Sequence, residues 1–176
     1  NSKLVLAYDA MFGAGQNVMK KLFPEITMLH CDDNPGFHGQ APEPIHKNLL
    51  EFSELIKSRG NINCGLVTDG DADRVGGMDG RGRYLSTHQL ICLLLQHLVV
   101  NRQGRGRVVK ALTTTSMLDK MCAAWGLPLV ETGVGFKYIA ELMGKLEGKK
   151  KFVAAGEESY GYMAGDFVRD KDAVSA

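Results

Sequence analysis

Asp69, Asp71 and Asp73 stand at alternate positions directly after a short apolar run, Cys64-Gly65-Leu66-Val67-Thr68, and Arg74 follows at once. Carboxylates packed this closely repel one another, so their spacing offers nothing to a chain that only has to fold. A hard divalent cation relieves the repulsion, because Mg2+ and Ca2+ take oxygen ligands. The stretch therefore predicts a buried strand that delivers a metal loop at its carboxyl end, with Asp69, Asp71 and Asp73 as ligands. The guanidinium of Arg74 can grip phosphate oxygens beside the ion, or simply offset the acids as an ion pair.

Other acidic loops share part of this pattern. An EF-hand also begins Asp-x-Asp-x-Asp, but it needs Gly at its sixth position and Glu at its twelfth. Arg74 and Gly80 occupy those positions here, which excludes it. A phosphatase of the haloacid dehalogenase type, with Asp69 as nucleophile, stays open, although Asp73 stands where that class usually has Thr or Val. A solvated acidic turn without a ligand also stays open.

Gly156-Glu157-Glu158-Ser159 closes a second apolar run, Phe152-Val153-Ala154-Ala155. Adjacent carboxylates beside a hydroxyl suit a polyol, whose vicinal hydroxyls seek acceptors on a rigid turn; a plain surface loop is the bland alternative. Arg169-Asp170-Lys171-Asp172 follows, and its cations can hold a phosphate or form a solvated charge run. Gly13-Ala14-Gly15 after a strand invites comparison with a dinucleotide site, but the third glycine is missing, so a tight turn opening a helix is the better reading. Thr113-Thr114-Thr115-Ser116 can bind phosphate at a helix N-terminus, and helix capping explains it equally well.

These loops need elements to carry them. Lys3 to Tyr8, Glu25 to Cys31 and Cys64 to Thr68 read as strands. Helices are predicted after Gly15 and from about Pro44 to Arg59, where Leu49, Phe52, Leu55 and Ile56 form a stripe and Gly60 is the stop. Arg83-Tyr84-Leu85 reads as an edge strand after a turn at Asp79-Gly80. The pattern then restarts. A helix over Gln89 to Asn101, apolar nearly all round, precedes strands at Arg107 to Leu112, Pro128 to Glu131 and Phe152 to Ala155. Helices over 116–125 and 136–146 lie between them. Each half thus runs strand, helix, strand, helix, strand, acidic loop. The fold class is α/β: two similar three-layer units with mixed, mostly parallel sheets covered by helices. The expected domains are 1–85, carrying the metal loop, and 86–176, carrying the sugar-binding loop. Ligands bind beyond the carboxyl ends of strands in such sheets.

The totals are those of an ordinary soluble globular protein. The chain has 176 residues, 44% hydrophobic and 23% charged, with a formal net charge of +1. No global field draws it to nucleic acid or to an acidic membrane. The run Lys149-Lys150-Lys151 reads as a solvated turn. Four cysteines, Cys31, Cys64, Cys92 and Cys122, lack any CxxC pair, which predicts reduced core thiols and a cytoplasmic location. The most apolar helix is too short to span a bilayer.

Taken together, Thr68-Asp69-Gly70-Asp71-Ala72-Asp73-Arg74, Val134-Gly135-Phe136-Lys137-Tyr138-Ile139, Gly156-Glu157-Glu158-Ser159 and Lys171-Asp172 resemble the α-D-phosphohexomutase family in order and spacing. That family includes phosphoglucomutases and phosphomannomutases. Asp9 through Gly15 and Gly39 through Pro44 resemble its second domain, and the match covers nearly the whole chain. Family members have four domains around one cleft, and this chain resembles the second and third. The first-domain loop Thr-x-Ser-His-Asn-Pro, with its phosphorylated serine, and the fourth-domain loop Arg-x-Ser-Gly-Thr do not occur in the sequence. The resemblance thus implies a central fragment whose partners are domains 1 and 4 of the same chain, with no turnover by itself.

The resemblance further implies that Asp69, Asp71 and Asp73 hold Mg2+ and that Arg74 contacts the transferring phosphate. Glu157 and Ser159 would bind sugar hydroxyls, Lys171 the sugar phosphate, and Gly135 with Lys137 would line the same cleft. The implied reaction interconverts hexose 1-phosphate and hexose 6-phosphate through a hexose 1,6-bisphosphate. Glu-Glu-Ser leans towards glucose over mannose or glucosamine. Tyr160 and Ala173 replace glycines usual in the family, which leaves substrate preference open. A non-catalytic sugar-phosphate binding module is a further alternative.

Overall fold

The computed structural model describes residues 4–146, 152–165 and 168–176. The chain divides into two compact units, Asn1–Ser86 and Thr87–Ala176. The basic run at Lys149–Lys151 and Lys3, the expected first residue of the opening strand, lie outside the described residues.

In the first unit the strands are β1 (Leu6–Asp9), β2 (Thr27–Leu29), β3 (Cys64–Thr68), β4 (Val75–Asp79) and β5 (Tyr84–Leu85), in the sheet order β2-β1-β3-β4-β5. β1 pairs in parallel with β2 and β3, and β3 pairs antiparallel with β4. The helices are α1 (Gln16–Leu22) and α2 (Leu50–Arg59). Successive side chains of a strand point to opposite faces, and the core divides accordingly. Ala7 and Val67 pack with Leu49, Phe52 and Ile56 on the α2 side. Tyr8 and Leu66 pack with Met19 and Ile26 on the α1 side. Helices thus cover both faces. Gly60 ends α2 at φ +65, the left-handed cap its sequence position predicts.

β4 was not among the expected strands, and glycines such as Gly76 and Gly77 have low strand propensity. The sheet needs the glycine for contact reasons: a Cβ at Gly76 would lie 2.9 Å from Val67 Cγ1 and 3.0 Å from Pro44 Cβ. Close approach of neighbouring chain overrides propensity there. The predicted helix from Pro44 begins as a short 3-10 turn over His46–Asn48, and the α-helix proper starts at Leu50.

The second unit has α3 (Thr87–Gln96), β6 (Arg107–Ala111), α4 (Met117–Trp125), β7 (Leu129–Thr132), α5 (Phe136–Leu146), β8 (Phe152–Gly156) and β9 (Tyr162–Ala164). The sheet order is β7-β6-β8-β9, parallel except for the antiparallel β8–β9 pair. β9, like β4, follows its acidic loop and returns beside the strand that delivers it; neither return was expected. α3 continues into a wider π-helical turn over His97–Asn101. Val109, Phe136, Ile139, Met143, Phe152, Ala155 and Met163 form the core under α5. All four cysteines are free thiols, and no helix among the described residues is long and apolar enough to cross a membrane.

Candidate metal centre and sugar-binding loop

β3 ends at Thr68, and the chain turns at once. Asp69 N donates to Arg74 O at 3.3 Å, Ala72 N donates to Asp69 O at 3.2 Å, and Ala72 sits in the left-handed region at φ +60. A non-glycine residue there costs energy and persists only where the surroundings hold it. The turn brings one carboxylate oxygen from each of Asp69, Asp71 and Asp73 to within 4.8 Å of one another. Asp69 is buried, Asp73 half-buried and Asp71 exposed.

Asp69 is the fixed member. Its Oδ1 accepts from the backbone N–H of Asp73 at 3.1 Å and of Arg74 at 3.0 Å. Burial pushes its carboxyl up to about 6 against the pull of the Arg74 N–H, and the carboxylates of Asp71 and Asp73 push the same way. Arg74 Nε stands 3.6 Å from Asp69 Oδ2 and 3.8 Å from Asp73 Oδ1, so it partly offsets the acids. That Nε–H is buried and makes no hydrogen bond among the described residues. The donor set is oxygen only and convergent, and it fits a hard divalent cation.

Asp9, at the end of β1, was given no role by the sequence beyond the family resemblance, yet it is fully buried and organises the neighbouring loop. Its Oδ1 accepts from Met11 N at 2.8 Å, and His30 Nδ1 lies 3.0 and 3.1 Å from its two oxygens. Burial raises the Asp9 carboxyl above the usual range, opposed by the Met11 bond and by His30. Met11 and Phe12 are both left-handed, at φ +47 and +61. No local pattern marks Asp9, because its partner His30 lies 21 residues away.

In the second unit, Glu157 follows β8 and is buried, with its N–H donating to Gly161 O at 3.0 Å. Ser159 is half-buried in the turn, and Tyr160 is left-handed at φ +67. A Cβ at Gly161 would lie 2.9 Å from Lys171 Cδ and 3.0 Å from Glu157 Oε1, so these two side chains converge over the glycine. The neighbouring Glu158 instead accepts a hydrogen bond from Thr113 Oγ1. Gly135 has φ +113 and opens α5, and Lys137 is exposed with its Nζ 5.0 Å from the Tyr138 ring centroid.

Residues 1–82 match phosphoglucomutase/phosphomannomutase α/β/α domain II, and residues 86–176 match α/β/α domain III. The chain belongs to the phosphoglucomutase/phosphomannomutase family. It is 28% identical over 187 aligned positions to a phosphoglucomutase of Staphylococcus haemolyticus, covering 98% of this chain and 34% of that protein. The crystal structure of a Thermus thermophilus protein assigned provisionally as a phosphomannomutase superposes with a TM-score of 0.85 at 32% identity, over 98% of this chain and 40% of the other. The Paramecium phosphoglucomutase parafusin, in its open form, gives 0.78 at 26% identity, over 99% of this chain and 32% of the other. The chain therefore spans about a third of the length of the curated relatives it matches.

Proposed function

We propose that this chain is the metal- and sugar-binding part of a Mg2+-dependent phosphohexomutase. The enzyme would interconvert hexose 1-phosphate and hexose 6-phosphate, glucose favoured, through a phosphoserine supplied by domain 1 and a 1,6-bisphosphate. The observation that carries the reading is the convergence of three carboxylate oxygens within 4.8 Å at the carboxyl end of β3. Asp69, Asp71 and Asp73 would hold Mg2+, which supplies Lewis-acid polarisation of a phosphoryl oxygen when bound. Arg74, whose guanidinium stands beside Asp69 and Asp73, would bind the same phosphate. Glu157 and Ser159 orient the sugar by its hydroxyls, and Lys171 binds the second phosphate. Gly135 and Lys137 line the sugar site. The phosphoaspartate alternative loses support because Asp69 is buried and its Oδ1 already accepts two backbone N–H groups.

Calorimetric titration tests the reading in two steps. Mg2+ should bind the wild-type chain at one site and not the Asp69/Asp71/Asp73→Ala variant. Glucose 1,6-bisphosphate should then bind more weakly to Glu157→Gln and Lys171→Ala than to wild type. Absence of any Mg2+ binding at millimolar concentration would remove the metal assignment. An aspartyl adduct formed with beryllofluoride would favour the phosphatase.

A further inference from the structure

The Gly13-Ala14-Gly15 turn lacks the third glycine of a dinucleotide site, and both of its glycines are enclosed. We infer that Gly13 and Gly15 are positioning residues for the metal loop: they let the β1–α1 turn press against residues 68–72 and thereby set the spacing of Asp69, Asp71 and Asp73. This rests on the metal assignment above and extends it to residues that ligate nothing.

β1 and β3 pair in parallel with Asp9 opposite Val67, so the loops that follow them leave one edge of the sheet side by side. Ala14 N donates to Gly70 O at 3.0 Å, which joins the two loops by their backbones. A Cβ at Gly13 would lie 2.6 Å from Gly70 O, 2.8 Å from Asp69 O and 2.8 Å from Gly70 Cα. All three are backbone atoms, so relief requires moving the loop itself. Asp69 O is also the acceptor that closes the turn onto Ala72 N, so its displacement reaches the residues that carry the ligands.

Gly15 holds the root of the same loop. A Cβ there would lie 2.1 Å from Tyr8 Oη and 2.9 Å from Thr68 Oγ1. These two hydroxyls share a buried 2.6 Å hydrogen bond directly before Asp69. Burial pushes the Tyr8 phenol up to about 12, so it stays a neutral donor or acceptor at physiological pH. Gly70 is covered from the other side, where a Cβ would meet Pro42 Cγ at 2.9 Å. The metal loop is thus held between two segments. Neither Gly13 nor Gly15 has positive φ, so alanine at either position reports the contact alone and not backbone conformation.

The test measures Mn2+ affinity by electron paramagnetic resonance and amide exchange over residues 69–74. Wild type is compared with Gly13→Ala, Gly15→Ala and the control Gly36→Ala, whose Cβ would meet only Asn34 Oδ1 at 3.4 Å. The two buttress variants should each lose at least tenfold in Mn2+ affinity and lose protection at the Asp73 and Arg74 amides, while the control retains both. Adding Tyr8→Phe to Gly15→Ala removes the atom at 2.1 Å and should restore much of the lost affinity. That rescue separates positioning from general destabilisation. Unchanged affinity and protection in both buttress variants overturns the inference, as does absence of rescue in the double variant. If wild type binds no Mn2+, the metal assignment fails by itself, and exchange at 69–74 still decides whether the glycines hold the loop.

Discussion

Asp71 is the exposed member of the three aspartates, and its removal separates ligation from folding. Asp71→Asn would delete one proposed anionic ligand and one source of repulsion at the same time. Mg2+ affinity should fall at least tenfold by titration calorimetry, while the metal-free melting temperature holds or rises. A large loss of metal-free stability would show that the loop is held by Asp71 and not by its backbone bonds.

Lys110 makes the opposite case, an ion pair that looks structural. Its side chain is 4% exposed, with Nζ 2.7 Å from Asp119 Oδ2 and 3.2 Å from Glu131 Oε2, both carboxylates being about half exposed. Burial pulls the Lys110 amine down, but the bonds to Asp119 and Glu131 outweigh that and hold it above its usual value. Lys110 also holds the Asp119 carboxyl below its usual value. The raised amine contributes stability below about pH 10.4 and loses it as pH rises through the folded value; the lowered carboxyl contributes above about pH 3.9 and loses it as pH falls. The bridge therefore acts across the neutral range. Because the freed carboxylates regain water, Lys110→Met should change stability by less than about 1 kcal/mol at pH 7. Urea midpoints measured from about pH 3 to 11 should show the variant losing part of the wild type's fall at both ends.

The turn that joins β4 to β5 is organised by one side chain. Asp79 Oδ1 accepts from Arg81 N and Arg83 N, both at 2.9 Å, and Oδ2 accepts from Arg83 Nε at 2.7 Å. Gly82 follows at φ +70, and its carbonyl accepts from Ser53 Oγ at 2.7 Å, which docks the turn on α2. Asp79→Ala should cost about 1–2 kcal/mol in urea unfolding through lost hydrogen bonds. Asp79-Gly80 and Gly82 were legible as a turn from their types alone. So were the strands that are continuous apolar runs and the helix stops at Gly60 and after Trp125. β4 was illegible, because Gly76 is explained by its contacts with Val67 on the paired strand and with Pro44 in a separate segment, which its own neighbours do not show.

As a whole, the chain carries two α/β units of one family, each delivering an acidic loop from the carboxyl end of a central strand. The phosphoserine motif Thr-x-Ser-His-Asn-Pro does not occur in it. The chain alone should therefore show no glucose 1-phosphate to glucose 6-phosphate turnover above background in a coupled assay. Robust turnover would mean that a residue within 1–176 serves as the phosphoryl carrier.

Alternating aspartates after an apolar run are a local pattern, and residue types alone determined the candidate ligands, the element order apart from β4 and β9, and the family resemblance. Only the tertiary structure decided that Gly13 and Gly15 abut the aspartate loop, that Asp9 and His30 brace the adjoining turn, and that Glu157 and Lys171 meet over Gly161. The reason is range. Propensity and periodicity act over a few residues, whereas Tyr8 meets Thr68 across 60 positions through the pairing register of β1 and β3, which no local pattern encodes.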